Sequence, residues 1–132
     1  MTTEVAEVLG ELGSKSQEEL IGLAQDVGLS GFDTLRKEEL VRRIFLARAE
    51  QQGQQVACGV LEIIDDGYGF LRHDGLRPSP NDVYVSPPQI RRFALRTGDQ
   101  VLGQVRPPKE GEKYFGLLRV EAVNGLNPDS TR

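Results

Sequence analysis

The chain has 132 residues, 38% hydrophobic and 27% charged, with one Cys, no Trp and a formal net charge of -4, which bounds it at one ordinary domain or two very small ones. Its longest apolar stretches, GVLEII and IFLA, fall far short of the roughly 18 to 20 residues that cross a bilayer, and the acidic start MTTEVAEVLGEL lacks the basic-then-apolar pattern of a secretory signal. A cytoplasmic location without a membrane partner is therefore expected, and a lone Cys58 beside a single His73 offers neither a disulfide nor a zinc site to staple the core.

Residues 1–52 predict helices. Val5, Val8, Leu9 and Leu12 follow the i, i+3, i+4, i+7 spacing of a short amphipathic helix that Gly13 ends. Ser16 and Glu19 form a capping-box signature ahead of a second stripe, Leu20, Leu23, Ala24 and Val27, which runs to Gly28. A third helix is expected from about Leu35 to Gln52, with Leu40, Val41, Ile44, Phe45 and Ala49 on its apolar side. Arg36, Lys37, Arg42, Arg43 and Arg48 cover the rest of that helix. They could touch phosphates, but the unit holds 10 acidic against 6 basic side chains, so a solvated face pairing with nearby Glu is the simpler expectation.

The polar run QQGQQ at 51–55 marks a boundary, and the composition changes beyond it. All seven prolines follow position 77, six of the eight aromatics lie past residue 53, and between Gly67 and Arg119 nine basic residues face five acidic ones. Residues 53–132 predict strands. Val56 to Ile64 leads into the turn Asp65-Asp66-Gly67, whose Gly takes positive φ at low cost. The returning strand, Tyr68 to Arg72, alternates Tyr68, Phe70 and Arg72 on one face with Gly69 and Leu71 on the other. The next strand sets Asp82, Tyr84 and Ser86 against Val83 and Val85. After the turn-rich SPPQIRRFALRTGD come QVLGQVR and YFGLLRVEAV, joined by PPKEGEK. Five short strands without a long helix predict a small barrel, so the fold class is α+β: a helical subdomain over 1–52, then a barrel over 53–132.

For any one aromatic in a small barrel the core is the commoner fate. Here the faces bearing Tyr68, Phe70 and Tyr84 also carry Arg72 and Asp82, charges that almost never enter a small core unpaired, and this face is expected to be outside. Exposed aromatics interleaved with cations suit single-stranded nucleic acid, with ring faces for bases and charges for phosphates; a protein-binding surface could use the same rings. Cytosine presents acceptors at O2 and N3 and a donor amine at N4, so Arg72 and Asp82 make a suitable reading pair. Alternatively they form a surface salt bridge worth about 0 to 1 kcal/mol, and the two roles are compatible.

The segments GYGFLR, DVYVSPPQIRRFALRTGD and RPPKEGEKYFGLLRVE resemble the N-terminal RNA-binding region of the bacterial transcription termination factor Rho family over nearly the whole chain; GYGFLR alone would also fit cold-shock proteins. The resemblance implies an N-terminal helical subdomain followed by a five-stranded, cold-shock-like OB-fold that captures single-stranded, pyrimidine-rich RNA with a preference for cytosine. It implies one base held against Tyr84 and enclosed by Glu112 and Tyr114, and a neighbouring cytosine stacked on Phe70 and read by Arg72 and Asp82. Tyr68 stands where the family commonly has Phe. Lys109, Arg91 and Arg92 match positions of expected backbone contact. The segment HDGLRPSPN between Arg72 and Asp82 is short for the family.

Complete Rho, by the same resemblance, is a homohexameric, RNA-dependent ATPase and helicase acting on RNA polymerase, with ATP and Mg in its motor domain. The chain has no GxxxxGK[ST] loop and stops at PDSTR, so it is expected to be a fragment with no cofactor and no catalysis of its own. Asp65-Asp66 is explained by turn chemistry and His73-Asp74 by the opening of a loop. The alternatives are a stand-alone cold-shock-like single-stranded nucleic-acid-binding protein and a helical interaction adaptor built on residues 1–52.

Overall fold

The structure is a computed structural model that describes residues 4–73, 75 and 77–130; Asp74, part of the His73-Asp74 pair, lies outside them. The chain divides into two compact units at Gln54/Gln55. No described helix is long and apolar enough to cross a membrane.

The first unit holds α1 (Val5–Gly13), α2 (Gln17–Asp26) and α3 (Lys37–Gln51), with a short 3-10 turn, Phe32–Thr34, before α3. The capping box forms as the sequence predicts: the Glu19 backbone N–H donates to Ser16 Oγ at 3.2 Å, and the Ser16 N–H donates to Glu19 Oε1 at 3.1 Å. α3 starts later than Leu35 because Phe32–Thr34 takes up the entering chain and Leu35 is extended. Leu9, Leu12, Leu20, Ala24, Leu40, Val41, Ile44 and Ala49 are buried where α3 packs on α1 and α2. On the exposed side Arg43 pairs with Glu39 at 3.1 Å, four residues away, as expected of a solvated face.

The second unit is a closed barrel in the order β1-β2-β3-β5-β4, built from β1 (Val56–Ile63), β2 (Gly69–Arg72), β3 (Val83–Val85), β4 (Gln100–Arg106) and β5 (Phe115–Val123). The Asp65-Asp66-Gly67 turn closes the β1–β2 hairpin with Gly67 at φ 88 and sets the register Ile63↔Gly69, Glu62↔Phe70 and Val60↔Arg72. Closure comes from β5, which runs parallel to β3 and antiparallel to β4. Leu61, Leu71, Val83, Val85, Ile90, Leu95, Val101, Val105, Leu117, Val120 and Val123 fill the interior. Gly103 lies where two irregularities in the β4–β5 register bring strands close: a Cβ there would sit 2.1 Å from the Arg119 carbonyl oxygen.

The segment expected to be only turn-rich contains a helix, α4 (Pro87–Arg92). Six residues are too few to show helical periodicity, but the local chemistry is explicit. Pro87 takes the first helical position, where its missing N–H costs nothing, and the Ser86 N–H donates to Gln89 Oε1 at 3.1 Å. Gln89 Nε2 then ties α4 to β5 by donating to the Leu117 carbonyl at 3.0 Å. The helix ends in a Schellman motif, with Leu95 N–H on Ile90 O and Ala94 N–H on Arg91 O. The same motif ends α2 and α3 at Gly28 and Gly53, both at positive φ, whereas here an alanine sits at φ 49. Relieving a left-handed cost of about 1 to 2 kcal/mol, less the added unfolded-state entropy of glycine, Ala94→Gly is expected to stabilise the barrel by about 0.5 to 1 kcal/mol. All three tyrosines lie beyond residue 53, so tyrosine fluorescence in urea follows this unit, and a destabilised variant would contradict the expectation.

Candidate nucleic-acid interface

The β2–β3 register places Phe70 directly opposite Tyr84, with Leu71 opposite Val83 on the core side. Strand alternation thus separates an aromatic face from the apolar interior, as the sequence predicts. Tyr68 and Tyr84 have centroids 5.7 Å apart, Phe70 lies 5.9 Å from Tyr68 and 6.1 Å from Tyr84, and Tyr114 meets Phe70 at 4.9 Å. These are edge-to-face or tilted contacts, so no two of the rings are stacked face to face. Tyr84 is the most open of the four, at 37% exposure.

The charges on this face are not outside, and the expectation that they would be is corrected. Arg72 is 7% exposed and Asp82 1%. They are buried because they are paired. One Arg72 terminal nitrogen donates to Asp82 Oδ2, the other donates to Glu62 Oε1 at 2.7 Å, and Nε donates to the same oxygen at 3.0 Å. The guanidinium carbon also lies 4.9 Å from the Phe70 ring centroid, a cation–π contact. Burial acts to weaken the charge of Arg72, but hydrogen bonds to Asp82 and Glu62 outweigh it and hold the guanidinium more firmly protonated than usual. A solvated pair is thus replaced by a desolvated triad. Asp82 Oδ2 takes a second hydrogen bond from the Ser79 N–H at 2.9 Å; Asp82 Oδ1 is buried and has no partner among the described residues.

Beside the rings, Tyr84, Arg106, Glu112, Lys113, Tyr114 and Gly116 line an open pocket of about 330 Å³. Its wall is a turn, Lys109-Glu110-Gly111-Glu112, closed by Glu112 N–H on the Lys109 carbonyl at 2.9 Å, with Gly111 at φ 85 in the third position. Arg106 grips Glu112 with both terminal nitrogens, at 2.7 and 3.2 Å, and the Lys109 N–H adds 2.8 Å. The Arg106 hydrogen bond first, and the Lys109 N–H second, hold the Glu112 carboxyl at about 2, below its ordinary 4.5. A depressed carboxyl contributes above its ordinary value and is lost as pH falls through the folded one, so this clamp is complete above about pH 4.5 and opens only toward pH 2. Gly116 lies against it: a Cβ there would meet the Arg106 guanidinium at 3.4 Å, an ordinary van der Waals contact.

The structure therefore gathers Tyr68, Phe70, Arg72, Asp82, Tyr84, Glu112 and Tyr114 around one face. Lys109 serves the pocket wall through its backbone, with an exposed side chain. Arg91 and Arg92 lie exposed in the last turn of α4, Arg92 5.2 Å over the Phe93 ring centroid. Glu62 and Arg106 are missing from the sequence expectations, and both were findable. The turn register makes Glu62 the diagonal neighbour of Arg72, and Arg106 opens the RPPKEGEKYF segment.

The family described as Rho termination factor, RNA-binding domain, matches residues 57–129, which contain every one of these residues. The chain belongs to the Rho termination factor RNA-binding domain family. It is 49% identical over 125 residues to the transcription termination factor Rho of Bacillus subtilis, covering 94% of this chain and 29% of that protein. The Rho proteins of Rhodopirellula baltica and Escherichia coli are 47% and 45% identical, over 91% and 94% of this chain and 24% and 30% of their own lengths. The chain thus spans less than a third of these Rho relatives.

Proposed function

We propose that this Rho-type domain captures single-stranded, pyrimidine-rich RNA, with cytosine preferred, as the primary RNA site of a termination factor. What supports this most is a single juxtaposition: four ring contacts with centroids 4.9 to 6.1 Å apart, beside a buried carboxylate oxygen that has no donor among the described residues. One base stacks on Tyr84 in the pocket walled by Glu112 and Tyr114, and Tyr68 extends the ring platform. A neighbouring cytosine stacks on Phe70, gives its N4 amine to Asp82 Oδ1 and accepts at O2 or N3 from Arg72. Uracil carries an acceptor where cytosine has the amine and would set it against the carboxylate. Lys109, Arg91 and Arg92 meet the phosphates.

In the complete protein, the domain feeds RNA to a homohexameric, ATP- and Mg-dependent helicase that acts on RNA polymerase in the cytoplasm. The domain itself contributes binding rather than catalysis, consistent with the absence of a GxxxxGK[ST] loop in the 132 residues.

Titration with fluorescent oligo-C and oligo-U at several salt concentrations tests the proposal. Oligo-C is expected to bind more tightly, with a log–log salt slope of roughly -1.5 to -3 for two to four phosphates on a single strand. Equal affinity for both, or an affinity indifferent to salt, would contradict it.

A further inference from the structure

The Arg72 guanidinium has five N–H donors, and Glu62 takes two of them through one oxygen while Asp82 takes a third. Glu62 thus fixes the plane of the guanidinium from the β1 side, and only two N–H groups remain for a ligand. The triad of one cation and two carboxylates carries a net charge of -1, and its buried Asp82 Oδ1 has no hydrogen-bond donor among the described residues. Such a site repels a phosphate and admits a neutral group that offers an amine.

We infer that Glu62 is a specificity-determining positioning residue: by holding Arg72 and leaving the triad net negative, it keeps the guanidinium on the base edge and off the RNA backbone. This rests on the RNA-capture role proposed above. Without the Glu62 charge, the two hydrogen bonds from Arg72 to this side chain lose their ionised acceptor and weaken, and Asp82 is the one countercharge left in the triad. The Nε edge is then the more loosely held, on the side where Glu62 itself is part-exposed, at 31% of its side chain. A guanidinium held less firmly is a good phosphate ligand, so preference should fall while electrostatic binding rises.

Glu62→Gln in the full chain tests this, with Glu50→Gln, an exposed carboxylate in the last turn of α3, as the control for removing one negative charge. Glu62→Gln is expected to lower the C-to-U affinity ratio by about three- to tenfold, a part of what one base-specific contact supplies. Its salt slope should become more negative by about 0.7, the mark of one added phosphate contact on a single strand. Glu50→Gln should change neither. If Glu62→Gln fails to fold by circular dichroism, Glu62→Asp, which keeps the charge but shortens the reach, should show the same two changes in smaller measure. A folded Glu62 variant that retains both the wild-type ratio and the wild-type slope overturns the inference, as does one that weakens oligo-C and oligo-U equally at an unchanged slope. Both are distinct from failure of the RNA-capture role, in which the unaltered chain itself would show no preference for oligo-C.

Discussion

Arg72→Met is expected to destabilise the barrel by about 3 to 5 kcal/mol, the cost of stripping the partner from a buried charge. Methionine keeps much of the stem that lies against Phe70, so the loss isolates the guanidinium. Asp82, 1% exposed, would keep a single backbone donor from Ser79 at 2.9 Å, and Glu62 would lose both of its hydrogen bonds from Arg72. Because the damage comes from an uncompensated carboxylate, Arg72→Met/Asp82→Asn should recover part of it, with a coupling energy of about 0.5 to 3 kcal/mol between the two sites. Urea denaturation followed by tyrosine fluorescence measures all three variants. A loss below about 1 kcal/mol for Arg72→Met would mean that the pair behaves as a solvated surface bridge.

Tyr84→Ala should weaken oligo-C and oligo-U together by about 1 to 3 kcal/mol, the contribution of one stacking platform. Stacking uses the ring face and is indifferent to base edges, so the C-to-U ratio should survive. Asp82→Ala leaves Arg72 compensated by Glu62 but removes the orphan acceptor, and should cost oligo-C more than oligo-U by about 1 to 3 kcal/mol. Both variants are compared at one salt concentration after circular dichroism shows them folded. Should Asp82→Ala leave the ratio unchanged, its role in reading cytosine fails.

Most of the architecture was legible in the sequence because its punctuation is local. Ser16 with Glu19, and Gly28, Gly53 and Gly67 at positive φ, each act through neighbours a few residues away. Period-2 alternation likewise separated Phe70 and Tyr84 from Leu71 and Val83 correctly. Alternation assigns a side chain to a face, however, and says nothing of what else reaches that face. Arg72 is buried because carboxylates arrive from β1 and from the residue preceding β3, a consequence of register across three segments. The Arg106–Glu112 clamp escaped for a similar reason, since the two residues are six apart and meet only because Gly111 turns the chain. α4 escaped because six residues are too short for periodicity, although Ser86-Pro87 was already a helix-start signal.

Single-stranded RNA is proposed to lie across the aromatic face of the barrel. The most direct measurement is a two-dimensional amide NMR titration of the full chain with oligo-C, recording which residues shift as binding saturates. The account predicts the largest changes at Tyr68, Phe70, Arg72, Asp82, Tyr84 and the turn from Lys109 to Tyr114, with Leu9, Leu20, Ile44 and the other core positions of the helical unit little changed. Saturable binding whose shifts instead concentrate on α1–α3, with Phe70, Tyr84 and Tyr114 unmoved, would contradict it.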